Sequence, residues 1–422
     1  MTISFHPVHS TTLLVGGILS FYFALRGPAC LSDVALTLST LSACAENLHL
    51  ALSSPPGRIP MQMSPEDLAT AVTSIKSMNV SRDCRSTEHP ILPNGVATAI
   101  SSFEKYPLLA SNAIQRKHGG YSKQSSKEKL ISNKLGYSLH FEKARKGIEM
   151  NARLTGQVAQ LGRELYNTGP EALENEAPVD FGLVDSAFGH LVRDWSTQGL
   201  NERRAVFPPI LEALEQHFGL NSMNRKVLVP GCGMGRLASD IADAGYNVTA
   251  NDLDYESILI YHLLANHTTS LHQHAIQPFV TKWAHQADSS SRYSAITVPD
   301  HMPNRTVELV EGDFLKVFPQ DAEFDAVVTL FFIDMSDNVI DFLSNIHRLL
   351  KPGGIWINLG PLKWDGSSIL QLSADEVLQL AELLGFDVNH ESRKSIHSTY
   401  GAQPESLLRF TYVLDFDEEE LR

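Results

Sequence analysis

The sequence predicts an α/β fold in which a doubly wound, mainly parallel sheet is preceded by a helical segment. Two observations lead to this prediction. Apolar, β-branched runs alternate with stretches of helical periodicity in the second half of the chain, and the first of these runs ends in a glycine-rich loop. Open sheets of this kind bind ligands at the carboxyl ends of their strands. The residues that follow each predicted strand are therefore the first candidates for a functional site.

The first predicted unit consists of a strand, a glycine loop, a helix and a second strand. The strand over 227–230 leads into a loop that contains Gly231, Gly233 and Gly235, and the second strand ends at Asp252. A carboxylate about 20 residues past the first glycine can accept hydrogen bonds from ribose hydroxyls. The unit therefore predicts a site for a nucleoside-bearing cofactor.

The spacing of the glycines distinguishes between cofactors. A dinucleotide fingerprint, G-x-G-x-x-G, would place its third glycine where this chain has Arg236, but the third glycine is Gly235. The resulting G-x-G-x-G resembles the S-adenosylmethionine loop of methyltransferases. An ordinary tight turn between a strand and a helix is the alternative, because a glycine triplet alone is weak evidence.

The later strands complete the predicted sheet. The segment 307–312 predicts a third strand that ends at Asp313 and Phe314, and the near-continuous apolar run 324–330 predicts a buried parallel strand. From Asp337, apolar residues recur with helical spacing, which predicts a helix over 337–350. A Lys-Pro-Gly-Gly turn then leads to a further strand over 355–359.

These motifs, with others along the chain, resemble the carnosine N-methyltransferase family, also called N2227-like. The segments that carry the resemblance are Leu191-Val-Arg-Asp-Trp-Ser196, Glu202-Arg203, Leu228–Leu237, Gly312-Asp-Phe314, Phe331–Asp334, Asn338–Asp341, Lys351–Leu362 and Ser398-Thr-Tyr400. Val-Arg-Asp-Trp-Ser and Gly-Gly-Ile-Trp-Ile-Asn-Leu-Gly-Pro-Leu are not general features of methyltransferases. The resemblance implies a Rossmann-like class I methyltransferase sheet, with S-adenosylmethionine as the cofactor.

The resemblance also implies which residues bind the cofactor: His190, Arg193, Gly231, Gly233, Asp252, Asp313, Phe314 and Leu330. The backbone amides around the glycines would face the methionine and ribose, and Asp252 would hold the ribose. Asp313, Phe314 and Leu330 would surround the adenine. Arg193 would bind the cofactor carboxylate, because a guanidinium can donate two parallel hydrogen bonds. His190 stands where the family usually has Gln.

The resemblance implies the residues at the acceptor site as well: Asp334, Asp365, Tyr400 and Tyr412. Asp334 is the predicted catalytic residue, since a carboxylate can accept the N–H of an imidazole and leave its other nitrogen free to attack. The alternative is that Asp334 is a helix N-terminal acid, and Tyr412 could be a core residue of a strand. Asp365 aligns with a His that contacts carnosine in the family.

The predicted function is therefore S-adenosylmethionine-dependent N-methylation of a small peptide-like molecule, carnosine or a related imidazole dipeptide. Two alternatives stay open: methylation of an amide nitrogen in a diketopiperazine-type metabolite, which the acid at Asp365 suggests, and methylation of a protein. The formal net charge of -14 argues against nucleic acid as substrate. No metal is predicted, because neither the cysteines nor the histidines have metal-ligand spacing. A homodimer stays open.

Three regions are expected along the chain: a poorly defined N-terminal segment and linker over 1–100, a helical subdomain over 101–220, and the methyltransferase domain over 221–415. Basic residues recur in the helical region, where we favour a solvated helix face over an RNA-binding surface. The apolar run Thr11–Leu25 lacks the basic residues that precede a signal-peptide core. We therefore expect a cytoplasmic protein, with a secreted or membrane-anchored one as the alternative.

Overall fold

The structure is a computed structural model, which describes residues 95–169, 178–219, 224–401, 403 and 405–421. These residues fall within the unit His89–Arg422. Among them, no helix has both the length and the apolar character that crossing a membrane requires. The apolar run Thr11–Leu25 lies outside the described residues, so its role and the cytoplasmic location stay predictions.

Helices form the first part of the described chain. They are α1 (Val96–Ser122), α2 (Ser126–Lys134), α3 (Leu139–Leu165), α4 (Phe181–Trp195) and α5 (Leu200–Phe218). Asp180 caps the start of α4, because its carboxylate accepts a hydrogen bond from the Gly182 N–H at 2.7 Å. The buried faces of α1, α3 and α4 share one apolar core, in which Phe103, Tyr106 and Phe188 are almost fully enclosed.

The strands of the described chain are β1 (Lys226–Pro230), β2 (Asn247–Asp252), β3 (His274–Ile276), β4 (Ile296–Val298), β5 (Glu308–Glu311), β6 (Phe324–Leu330), β7 (Leu350–Gly360), β8 (Phe386–Val388), β9 (Lys394–Thr399) and β10 (Thr411–Leu421). The main sheet has the order β5-β2-β1-β6-β7-β10-β8, and β9 also pairs with β10. The pairs from β5 to β7 are parallel, whereas β10 is antiparallel to its neighbours. This sheet, preceded by helices, confirms the predicted fold class.

Helices cover both faces of the sheet: α6 (Arg236–Asp243), α7 (Tyr255–His267), α8 (Val339–Leu349) and α9 (Ala374–Leu384). Along β1 the side chains alternate between two cores, because successive residues of a strand point to opposite faces. Val227 and Val229 pack with residues of α5 and α6, whereas Leu228 packs with residues of α8 and α9. Asn338 caps α8 through the Ile340 N–H, so this helix begins close to the predicted position.

Two details differ from the prediction. The short antiparallel pair β3–β4 lies between α7 and β5 and was not predicted, because three-residue strands carry little periodicity. The predicted turn Lys351–Gly354 is instead part of β7, which begins at Leu350. The two glycines lie where the β6–β7 register shifts, so they form an irregularity within the strand pair.

The strand register determines where the site lies. Pro230 of β1 pairs with Asn251 of β2, and Asp252 pairs with Glu311 of β5. On the other side of β1, β6 runs parallel and ends at Leu330. The glycine loop and the residues that follow β2, β5 and β6 therefore meet at one edge of the sheet.

Candidate active site

A cavity of about 360 Å³ opens at this carboxyl edge. All the predicted cofactor-binding residues line it: His190, Arg193, Gly231, Gly233, Asp252, Asp313, Phe314 and Leu330. Tyr400, from the predicted acceptor residues, also lines the cavity. The fold thus brings together side chains that are up to about two hundred residues apart in the sequence.

The glycine loop needs glycines for two different physical reasons. Gly231 has a φ of 62°, and a Cβ added there would collide with the ring of Phe332. Gly233 has a φ of 55° and open space where its Cβ would be, so the backbone itself forms the surface of the cavity. Left-handed backbone is costly for other residues. A ligand can therefore approach the main chain closely at Gly233.

Asp252 connects the end of β2 to the glycine loop. One carboxylate oxygen accepts the Gly233 N–H at 2.6 Å, and the other accepts the N–H groups of Leu253 at 2.8 Å and Asp254 at 2.9 Å. Burial raises the pKa of Asp252 to about 6, against the opposing effect of these backbone hydrogen bonds. The Gly233 amide thus donates to Asp252 in the structure, and a contact of the amides around Gly231 and Gly233 with a cofactor stays a prediction.

Aromatic side chains form the end of the cavity next to β5 and β6. Phe314 is buried and makes edge-to-face contacts with Phe332 and Phe342, at ring distances of 5.5 and 5.6 Å. Asp313 accepts the Lys316 ammonium at 2.7 Å, and this hydrogen bond holds the pKa of Asp313 below its usual value. The sequence did not assign Phe332 and Phe342 to the site, although Phe332 lies in a motif that carried the family resemblance.

Arg193, at the end of α4, also lines the cavity. Its guanidinium donates to both carboxylate oxygens of Asp194, at 2.6 and 3.0 Å, and lies 4.5 Å from the ring centre of Tyr400. The Tyr400 hydroxyl is 3.3 Å from Nε2 of His190. Burial, together with the charge of Arg193, lowers the pKa of His190 to about 4. His190 is therefore a neutral imidazole at physiological pH.

Asp334 is not among the residues that line the cavity. It lies in the short 3₁₀ turn Ile333–Met335 and is buried, and its carboxylate accepts the Lys363 N–H at 3.0 Å. Burial raises the pKa of Asp334, against the opposing effect of this hydrogen bond. In the structure the carboxylate thus holds the start of the loop after β7. A direct contact with an acceptor stays a prediction.

Asp365 and Tyr412 also lie away from the lining of the cavity. Asp365 is exposed, and its carboxylate accepts the Ser367 N–H at 3.3 Å within a turn. That turn is held by the Trp364 indole N–H, which donates to the Leu372 carbonyl at 2.7 Å. Tyr412 is half-buried on β10 and packs near Tyr400, at a ring distance of 6.3 Å. Both a role in the acceptor pocket and the alternative, a core residue of a strand, stay predictions.

Other residues that the sequence left without a role contact the site from α5. Glu202 and Arg203 are both buried and line the cavity. Their dipeptide was part of the family resemblance, which is a signal that they have a role. The sequence alone could not indicate the role, because their partners come from distant segments of the chain.

Comparison with known proteins identifies the family. The model of the family described as "Carnosine N-methyltransferase" matches residues 171–417. The chain belongs to the carnosine N-methyltransferase family. This membership confirms the family predicted from the motifs and the predicted enzyme class, an S-adenosylmethionine-dependent N-methyltransferase.

The matches to relatives cover about three quarters of this chain. The carnosine N-methyltransferase of Schizosaccharomyces pombe is 27% identical over 352 residues, which cover 74% of this chain and 92% of the relative. The Mus musculus enzyme is 27% identical over 333 residues, with 74% of this chain and 82% of the relative covered. Phosphoethanolamine N-methyltransferase 2 of Haemonchus contortus, a solved structure, has 18% identity and a TM-score of 0.32, with coverages of 49% and 42%.

Proposed function

We propose that this enzyme transfers the methyl group of S-adenosylmethionine to a nitrogen of a small peptide-like molecule, carnosine or a related imidazole dipeptide. The observation that carries the proposal is the cavity at the carboxyl edge of the sheet. The cavity is lined by the glycine loop, by the buried carboxylate at the end of β2, by aromatic side chains, and by Arg193 and Tyr400.

The residues of the cavity suit this cofactor. A volume of about 360 Å³ lies within the usual range for small-molecule sites. The carboxylate of Asp252 can accept hydrogen bonds from ribose hydroxyls, and the ring of Phe314 offers an apolar surface to an adenine. Arg193 supplies a cation for the carboxylate of the methionine part. When bound, the cofactor supplies an electrophilic methyl group.

Methyl transfer requires the protein to position the acceptor nitrogen and to keep it unprotonated. A nitrogen can accept a methyl group from a sulfonium only through a lone pair, so the acceptor must be unprotonated and aligned with the methyl–sulfur bond. No covalent intermediate with the protein is required. His190 is neutral, so together with Tyr400 it can contact an acceptor through hydrogen bonds without adding a charge.

Imidazole dipeptides are the acceptors we favour because the matched relatives are named as carnosine N-methyltransferases. We propose that Asp334 accepts the imidazole N–H when an acceptor is bound, which would fix the tautomer. The Asp334 carboxylate would then accept hydrogen bonds from the Lys363 N–H and from the imidazole at the same time. A carboxylate has enough lone pairs for both.

The proposal is tested by incubating the full chain with labelled S-adenosylmethionine and a panel of acceptors. The panel holds carnosine, other histidine dipeptides, the same dipeptides with phenylalanine in place of histidine, cyclic dipeptides and a protein extract. We expect label on the imidazole ring of a histidine dipeptide and none on its phenylalanine counterpart. Transfer to cyclic dipeptides or to protein, without transfer to any imidazole dipeptide, would contradict the proposal.

A further inference from the structure

We infer that Glu202 and Arg203 act together as positioning residues, which fix Tyr400 and Arg193 relative to each other in the lining of the cavity. They are neighbours in the first turn of α5, and this inference rests on the methyl transfer proposed above. Successive residues of a helix point in directions about 100° apart. One turn of α5 can therefore bind two different segments of the chain at once.

Glu202 binds the segment that carries Tyr400. One oxygen of its buried carboxylate accepts the Thr399 hydroxyl at 2.7 Å, and the other accepts the Gly401 N–H at 2.9 Å. These two donors flank Tyr400 in the sequence. Thr399 pairs with Thr411 at the end of the β9–β10 ladder, so Tyr400 lies just beyond the ladder. The carboxylate therefore fixes a residue that strand pairing does not.

Tyr400 has contacts that make its position important. Its ring lies under the guanidinium of Arg193 and 4.9 Å from the ring of Phe331, and its hydroxyl is next to His190. Both Arg193 and Phe331 line the cavity. A shift of Tyr400 would therefore change the surface that meets the acceptor.

Arg203 binds the segment that carries Arg193. Its guanidinium donates to the carbonyl oxygens of Arg193, at 2.5 Å, and Ser196, at 2.9 Å. The last carbonyls of a helix have no partner within the helix, so these hydrogen bonds satisfy the end of α4. The other side of the guanidinium binds Asp300 at 2.5 Å.

Asp300 extends this contact to the helix after the glycine loop. Its second oxygen accepts a hydrogen bond of 2.7 Å from the guanidinium of Arg236, which lies at the start of α6. Arg236 also donates to the Asp194 carbonyl at 3.0 Å. Arg203, Asp300 and Arg236 are all at most 10% exposed in their side chains. Buried charges are tolerated when they are paired, and these two ion pairs connect α5 with α6. The hydrogen bonds of the two arginines to backbone carbonyls add the end of α4.

Glu202 is tested through the segment that it binds. In Glu202→Ala, we expect kcat/KM for the best acceptor to fall about 10- to 100-fold, while the Kd for S-adenosylmethionine changes less than about threefold. Thr399→Val removes one of the two donors and should produce a smaller loss of about fivefold, whereas Thr399→Ser keeps the hydroxyl and should restore activity. Glu212→Ala changes an exposed acid of the same helix and is the matched control.

Hydrogen exchange adds a measurement that needs no methyl acceptor. The Gly401 amide should exchange at least about tenfold faster in Glu202→Ala than in the wild type, because its acceptor is lost. Thermal unfolding checks that each variant folds. If Glu202→Ala does not fold, the comparison of Thr399→Val with Thr399→Ser tests the inference instead. Wild-type activity and exchange in both Glu202→Ala and Thr399→Val would overturn the inference. Wild-type enzyme without activity on imidazole dipeptides would instead contradict the proposed function.

Arg203 is tested through the cofactor. Arg203→Lys keeps the charge but loses the planar fork that reaches two carbonyls and Asp300. We expect the Kd for S-adenosylmethionine to rise about fivefold or more, because the backbone of Arg193 is no longer held. An unchanged Kd in a folded Arg203→Lys protein, together with unchanged turnover, would show that Arg203 does not position Arg193.

Discussion

The predicted cofactor-binding residues and the predicted acceptor residues differ in where the structure places them. Every predicted cofactor-binding residue lines the cavity. Of the predicted acceptor residues only Tyr400 does, whereas Asp334 binds a backbone amide, Asp365 lies in an exposed turn and Tyr412 lies on β10.

The difference follows from what fixes each residue in space. Gly231, Asp252, Asp313 and Leu330 lie at or directly after the ends of β1, β2, β5 and β6, whose parallel register brings those ends together. The predicted acceptor residues come from a 3₁₀ turn, from the loop after β7, from the segment just after β9 and from β10. A strand register can be inferred from hydrophobic patterns, but the path of a loop cannot.

The largest effect is expected at Asp334. Asp334→Ala should leave the Kd for S-adenosylmethionine nearly unchanged and reduce turnover by about 10²-fold or more, the usual contribution of a positioned group to proton handling. Asp334→Asn separates two explanations, because an amide oxygen can still accept the Lys363 N–H. If Asp334 only holds that loop, the Asn variant should keep most of its activity. Full activity of Asp334→Ala on the best acceptor would remove Asp334 from the site.

The next largest effect is expected at Asp252. Asp252→Ala should weaken S-adenosylmethionine binding by about 1–3 kcal/mol, because the ribose hydroxyls and the Gly233 amide would lose their acceptor. Calorimetry measures this directly. Asp252→Asn, of the same size, should fall between the wild type and the Ala variant. An unchanged Kd in both variants would show that the carboxylate does not bind the ribose.

The affinity for S-adenosylmethionine should also depend on pH. Burial raises the pKa of Asp252 to about 6, so the free protein binds a proton there below about pH 6. A ligand that needs the carboxylate must displace this proton. The affinity should therefore be constant above about pH 7 and fall by up to about tenfold per pH unit below pH 6. Asp252→Asn should show a flatter profile over the same range, and equal slopes in the two proteins would contradict the assignment.

The smallest effect is expected at Asp365. Asp365→His introduces the residue that the family resemblance implies at this position, so we expect the ratio of kcat/KM for carnosine to that for other acceptors to rise. Because Asp365 is exposed and lies in a turn, we expect a change of only a few-fold, within about 1 kcal/mol. If wild-type enzyme already prefers carnosine to every other acceptor, this residue does not set specificity.

The same distinction describes how much of the structure the sequence could predict. The glycine loop, the succession of strands along the chain and the start of α8 were recognisable, because each has a local pattern. The aromatic contacts of Phe332 and Phe342 and the hydrogen bonds of Glu202 depend on segments far apart in the chain. No periodicity indicates such contacts, so only the structure reveals these residues as neighbours of the site.

Calorimetric titration of the full chain with S-adenosylmethionine and, separately, with NADH tests the central claim most directly. The claim is that the G-x-G-x-G loop and Asp252 form the binding site of a methyl donor rather than that of a dinucleotide. We expect saturable binding of S-adenosylmethionine that is weakened in Asp252→Ala, and no measurable binding of NADH. Tight binding of NADH with no response to S-adenosylmethionine would contradict the account.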